Sequence, residues 1–182
     1  EQAEIVRQKG TNRAKFIRGE VDRYTWIDVG SSFLPGELTA AFLFAQLEGA
    51  KEITAQRMVV WEKYHSAFEI LETEKYVRRP IIPTNCSQSA HMYYLLCESE
   101  NVRDDLLRAM KAMKIGVVSH YEPLHSAPAG KRLARCHGNL ELTTQLAKRI
   151  ARLPLWIGME HLQETAINAV EGHLRGIGRK KA

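Results

Sequence analysis

Two polar clusters in this chain combine residue types that could hold a ligand. The first is Lys9-Gly10-Thr11-Asn12-Arg13, joined by Tyr24 and by Gly30-Ser31-Ser32. Small hydroxyls and backbone amides just ahead of a helix suit a phosphate, because unpaired N–H groups and the helix dipole both favour an anion. The plainer reading is that Ser31 or Ser32 caps that helix. The second cluster is Ser119-His120-Tyr121-Glu122-Pro123-Leu124-His125. Its two histidines could meet a polar ligand. Without a third ligand at suitable spacing they are no metal site, so no metal is expected.

Other chemistries find no support. There is no GxSxG nucleophile elbow, no Walker loop and no GxGxxG phosphate cradle. No close pair can be singled out among the 21 acidic residues. Cys86, Cys97 and Cys136 are odd in number and far apart, which reads as free thiols in a reducing, cytoplasmic compartment.

The elements around these clusters follow from apolar spacing. Residues 1–9 read as a helix stopped by Gly10, and residues 10–35 as a long irregular connection. From Pro35 a helical pattern runs for more than thirty residues, with Gly49 marking a bend. Leu38, Ala41, Phe42 and Ala45 share one face; Ile53, Val60, Trp61, Tyr64, Ala67, Phe68 and Leu71 form a second stretch at i, i+3, i+4 spacing. These aromatics read as core, with part of so much apolar surface facing another subunit.

Pro80 and Pro83 end that region. Residues 90–97 then read as a buried strand, followed by a helix capped by Asn101 with an apolar face of Val102, Leu106, Ala109, Met110 and Met113. Gly116 closes this helix and Val117-Val118 form a second short strand. Residues 120–139 read as loop. Thr143 or Thr144 caps a helix through Ile150, Leu153-Pro154-Leu155 is extended, and a last helix runs from about Met159 to Leu174. The fold class is therefore α/β (α+β).

Composition limits the partners. The chain has 182 residues, 45% of them hydrophobic, which is ordinary for a folded protein. No apolar run approaches the roughly 20 residues of a membrane span. The opening Glu1-Gln2-Ala3-Glu4 is acidic, unlike a secretory signal, and reads as the middle of a helix in a truncated polypeptide. The net charge of +5 invites nucleic acid, but the basic residues are scattered. Their one cluster, Arg175, Arg179, Lys180 and Lys181, reads as a solvated tail. Neither nucleic acid nor membrane is an expected partner.

A closely spaced set carries more information than any single motif. It comprises Gly10-Thr11-Asn12-Arg13, Phe16, Gly19, Val21-Asp22, Tyr24-Thr25-Trp26, Asp28, Gly30-Ser31-Ser32, Leu34-Pro35, Glu37-Leu38, Ala40-Ala41 and Ala45-Gln46-Leu47-Glu48. Ala90-His91-Met92, His120-Tyr121, Pro123-Leu124-His125, Pro128-Ala129-Gly130 and Leu153-Pro154-Leu155 follow in order. This set resembles the DegT/DnrJ/EryC1/StrS family of pyridoxal-phosphate (PLP)-dependent sugar aminotransferases. Within that family it is most similar to the subgroup acting at C4 of a dTDP-4-keto-6-deoxyhexose in bacterial lipopolysaccharide and enterobacterial common antigen synthesis.

The resemblance implies the C-terminal half of a fold-type-I aminotransferase. Residues 1–35 would end the large cofactor domain, and 36–182 would form the small domain, a long helix followed by a small sheet covered by helices. It implies a cytoplasmic homodimer with its active site between subunits. The family's Asn ahead of the long helix falls at Ser32, which with Ser31 would hold the cofactor phosphate. Arg13, Tyr24, His120, Tyr121 and His125 would meet the sugar nucleotide, with glutamate as amino donor. The family's Schiff-base lysine, in a Ser-x-His-x-x-Lys motif, has no counterpart here, and Lys9 sits in a different context. The resemblance thus implies no catalytic residue in this chain and no activity of the chain alone. The rival expectation is a non-catalytic, self-associating module.

Overall fold

A computed structural model describes residues 1–179. These form two compact units, Glu1–Ala50 and a second that begins at Lys51.

The first unit is built on backbone crossings rather than on an apolar core. Helix α1 (Gln2–Arg7) ends where Lys9 and Gly10 take positive φ angles of 63° and 74°. Helix α2 (Arg13–Ile17) follows, so the expected irregular connection is partly helical. The remainder is ordered by isolated bridges, Gln8 to Ser32 and Thr11 to Trp26. Two glycines make the crossing possible. A Cβ on Gly30 would lie 2.1 Å from the Gly10 nitrogen, and one on Gly10 would lie 1.7 Å from the Asp28 carbonyl oxygen. Helix α3 (Glu37–Glu48) completes the unit and buries none of its residues.

The expected single long helix is divided. Gly49 leaves the helical ladder between α3 and α4 (Ala50–Ala67), consistent with its low helix propensity. Helix α5 (Glu69–Thr73) follows directly.

The second unit contains the core. Strands β1 (Val77–Arg78), β2 (Tyr93–Cys97), β3 (Val118–Ser119) and β4 (Ile150–Leu153) form one sheet in the order β1-β2-β4-β3, each neighbouring pair antiparallel. Strands β2 and β3 are therefore parallel to each other with β4 inserted between them, and α6 (Glu100–Ala112) is their crossover. Helix α6 packs on β2 and β4, and is flanked by α8 (Glu141–Arg149) and α9 (Glu160–Arg179). The α+β expectation is met.

The α4 aromatics pack as their spacing predicts. Tyr64 stacks on Phe68 at 5.8 Å and on Tyr93 of β2 at 5.3 Å, while Trp61 meets Tyr93 edge-on at 5.3 Å. Such pairs contribute about 0.5–1.5 kcal/mol each beyond their burial. The buried Tyr64 hydroxyl donates to the Pro154 carbonyl at 3.0 Å. Arg79 ties the two helices to the segment after β1: its side chain donates to Glu72 of α5 at 2.8 Å and to the His65 carbonyl of α4 at 2.5 Å.

Several boundaries differ from expectation. Strand β2 begins at Tyr93, three residues after Ala90 with its left-handed φ of 48°. Ser99, not Asn101, caps α6, its hydroxyl accepting from the Val102 N–H at 3.3 Å. Leu140, not Thr143 or Thr144, precedes α8, and Ile150 starts β4 instead of extending the helix. Residues 120–139 are not all loop, since Pro128–Leu133 form α7 with Pro in its first turn. Strand β1 was not anticipated; at two residues it is too short to show alternation. Helix α9 extends through Arg179, with Arg175 paired to Glu74 at 3.2 Å, so that stretch is not a frayed tail. Lys180 and Lys181 of the expected tail lie outside the described residues. All three cysteines are free, and burial pushes the Cys97 thiol up to about 11.

Candidate functional site

The two polar clusters fall in different units. In the first unit the Gly-Thr-Asn-Arg stretch divides its labour. Thr11 and Asn12 are buried and used locally. The Thr11 hydroxyl donates to the Gln8 carbonyl at 2.7 Å. The Asn12 amide donates to the Arg23 carbonyl at 2.9 Å, while its oxygen accepts from the Thr25 N–H at 2.7 Å. One side chain thus holds the 23–25 segment, which carries Tyr24, against the start of α2. Arg13 and Tyr24 are exposed, with the Tyr24 ring 6.4 Å from Phe16.

Ser31 and Ser32 do not cap the helix. Helix α3 starts at Glu37 behind Gly36, which offers no side chain. Four residues separate the serines from it. Ser31 is pinned through its backbone, its N–H donating to the Val6 carbonyl at 3.0 Å and its carbonyl accepting from the Lys9 N–H at 3.1 Å. Ser32 is bridged to Gln8. Both side chains are exposed, and neither hydroxyl bonds another described residue. A fixed backbone with free hydroxyls suits donation to a phosphate, so these residues fit that part of the PLP cofactor.

In the second unit His120, Tyr121 and His125 share one segment between β3 and α7. The His120 and Tyr121 rings lie 5.4 Å apart, and Arg152 of β4 sits 5.3 Å over the Tyr121 ring. Arg152 also donates to the Ser119 carbonyl at 3.2 Å. His120 lines a cavity of about 150 Å³ with Arg103, Tyr121, Thr144 and Lys148. The cations of that cavity are compensated, Lys148 by Glu100 at 3.2 Å and Arg103 by Asp104 at 2.9 Å. Burial first, then the Arg152 charge, lowers the His120 pKa below the usual imidazole value. Its ring is therefore neutral at pH 7, and its Nδ1 is enclosed without a partner among the described residues. Such a nitrogen suits an uncharged hydroxyl. His125 does not line that cavity itself, but its Nε2 lies 2.9 Å from the hydroxyl of Thr144, which does.

Arg152 and Thr144 were not anticipated from sequence. Arg152 alternates with buried Ala151 and Leu153 on β4, so a confident strand assignment would have placed it on the face opposite the core. Thr144 becomes a partner only through the fold of the loop. No group of three or more His, Cys, Asp or Glu side chains able to hold a metal ion forms among the described residues.

Solved aminotransferase structures are similar over nearly all of this chain. The aminotransferase TlmJ from Streptoalloteichus hindustanus aligns at 21% identity with a TM-score of 0.79, covering 97% of this chain and 45% of that one. S. venezuelae DesV, solved with a ketimine intermediate, aligns at 22% identity and 0.77, covering 93% and 42%. Helicobacter pylori PseC, an aminotransferase of pseudoaminic acid biosynthesis, aligns at 16% identity and 0.77, covering 95% and 45%. The chain thus spans less than half the length of these proteins, and the likeness establishes a shared fold. Residues 1–171 match the DegT/DnrJ/EryC1/StrS aminotransferase family, and the chain belongs to that family.

Proposed function

We propose that this chain is the C-terminal portion of a PLP-dependent sugar-nucleotide aminotransferase. The whole enzyme transfers an amino group from glutamate to C4 of a dTDP-4-keto-6-deoxyhexose, yielding dTDP-4-amino-4,6-dideoxygalactose for bacterial lipopolysaccharide and enterobacterial common antigen. Residues 1–35 end its large cofactor domain and 36–182 form its small domain. The protein works in the cytoplasm as a homodimer. Bound PLP supplies an electron sink for carbon–nitrogen bond exchange. One observation carries the reading for this chain: the Ser31 and Ser32 hydroxyls are held in place by their backbones yet left unbonded.

The residues divide the work as follows. Ser31 and Ser32 donate to the cofactor phosphate. Arg13 and Tyr24 meet the substrate beside them. Neutral His120, with Tyr121 braced by Arg152, meets sugar hydroxyls, and His125 completes that loop. None of these side chains carries PLP covalently, because no lysine here lies in the family's Ser-x-His-x-x-Lys context. The chain alone is therefore inactive.

Incubating the purified chain with PLP and recording its spectrum after gel filtration tests this directly. No PLP band should survive; a retained band refutes the assignment. In a longer protein containing the chain, Ser32→Ala should weaken PLP retention about tenfold, the scale of one charge-assisted hydrogen bond. Unchanged retention would remove Ser32 from the site.

A second reading is a non-catalytic, self-associating module. The exposed apolar residues of α3, Leu38 and Phe42 foremost, favour it. Its discriminating observation is a reading frame upstream of Glu1 that encodes no Ser-x-His-x-x-Lys stretch.

A further inference from the structure

We propose that the open sheet edge at β3, with the groove between it and α6, docks an acidic, extended peptide segment of another protein. The inference stands apart from the amino-transfer reading and uses none of the side chains assigned there.

Strand β3 pairs with β4 and forms one border of the sheet, so its outer backbone groups have no strand partner among the described residues. Such an edge accepts an added strand, whose main chain pairs with it while alternate side chains enter flanking pockets. Two residues offer few main-chain bonds, so side-chain contacts must supply most of the affinity. A groove of about 520 Å³ between β3 and α6 provides them. Leu107 and Lys111 lie one turn apart on the same face of α6, and Lys114 follows just past its end. Arg108 also borders the groove, and no carboxylate lines it. Arg108 is paired with Asp105 at 2.9 Å, whereas Lys111 and Lys114 form no ion pair among the described residues.

The groove continues into a second cavity of about 500 Å³. The two share Lys114, Ile115 and Gly116, and a Cβ on Gly116 would meet nothing within 4 Å, so the strip joining them is open. The second cavity is mainly apolar and also free of carboxylates. Met159 and Ala166 are its buried part, while Met113, Trp156 and Leu162 are 47–53% exposed around it. It has room for one large apolar side chain, the kind of anchor that dominates binding energy. Charge selects the rest of the partner, because two uncompensated lysines beside the edge attract carboxylates and repel cations. A second copy of this chain is a poor occupant. Two-fold pairing of β3 with β3 would bring the lysines of both copies to one seam.

Fluorescence anisotropy of labelled synthetic peptides titrated with the full chain, at low salt, tests the assignment. A peptide that alternates glutamate with valine and ends in phenylalanine should bind saturably. Its counterpart with lysine in place of glutamate should not. Lys111→Gln/Lys114→Gln should weaken the acidic peptide about fivefold or more, while Lys51→Gln/Lys131→Gln, an equal change of charge elsewhere, should leave it unchanged. The acidic peptide N-methylated on alternate amides keeps its side chains but cannot pair as a strand, and it should bind more weakly. No saturable binding, equal affinity for the lysine peptide, or equal loss in the two double variants overturns the proposal. Undiminished binding of the N-methylated peptide overturns strand addition. Amide shifts in the parent chain on adding the acidic peptide give a readout that needs no variant. Shifts confined to residues 107–119 and 154–166 support the site, and shifts elsewhere overturn it.

Discussion

The His125 ring nitrogen Nε2 and the Thr144 hydroxyl lie 2.9 Å apart, linking the polar loop to α8. The Thr144 hydroxyl also lies 3.3 Å from the Leu140 carbonyl, so it meets both groups. Thr144→Val removes the hydroxyl and leaves the imidazole nitrogen without its partner, at a cost of about 1–3 kcal/mol. Amide exchange across residues 120–134 should accelerate about tenfold or more, and Thr144→Ser should restore protection. Unchanged exchange in Thr144→Val would show that the contact does not hold the loop.

The glycine crossing makes the first unit selectively fragile. Gly10→Ala meets both a φ of 74° and the Asp28 carbonyl. The left-handed conformation alone costs about 1–2 kcal/mol, and the overlap adds to it. Limited proteolysis should then cut within residues 1–35 while 51–179 stays protected. Equal resistance of parent and variant would contradict the crossing.

Within the second unit, the buried Gln163 amide of α9 donates to the Val60 carbonyl of α4 at 2.6 Å. Gln163→Ala loses this bond and leaves a cavity, together costing about 2–4 kcal/mol. Urea unfolding should show a lower midpoint with an unchanged slope. A midpoint within error of the parent would mean that the tie between the helices contributes nothing.

Two histidines set a pH dependence. Burial, then the nearby Arg79 charge, lowers the His65 pKa below the usual 6.5, and burial with Arg152 does the same for His120. Between each lowered folded value and 6.5, the unfolded chain binds a proton that the folded chain does not. Stability is therefore fully present above about 6.5 and falls as the pH drops through that window. His65→Gln/His120→Gln should flatten the slope of unfolding free energy between pH 6.5 and 5. A slope identical to the parent's would remove both groups as its source.

Helix α3 predicts association. Leu38, Phe42, Leu43, Phe44 and Leu47 are each at least 52% exposed and occupy more than one side of the helix. Such a surface marks an interaction site. Sedimentation velocity over a range of concentrations should show self-association of the chain, reduced by Leu38→Glu/Phe42→Glu. A concentration-independent monomer would refute it.

Much of this architecture is legible in the order of residues. Residues separated by three and four along α4 and α6 bury the same stripe, because helical periodicity links sequence spacing to a face. Val60, Trp61, Tyr64, Val102, Leu106 and Met110 were placed in the core for that reason, and they are there. The family was legible too, since its glycines, serines and histidines keep their order across the chain. Tertiary structure decided what those residues do. Nothing local to Thr11 and Asn12 distinguishes a ligand contact from a backbone staple; the 23–25 segment had to fold onto them. Nothing local to Ser31 shows that Gly36 would replace it at the helix start, leaving its hydroxyl free. The partner of His125 likewise depends on how the segment between β3 and α8 folds. A side chain's type fixes which bonds it can form, but whether those bonds are already taken depends on which distant atoms the fold brings within reach.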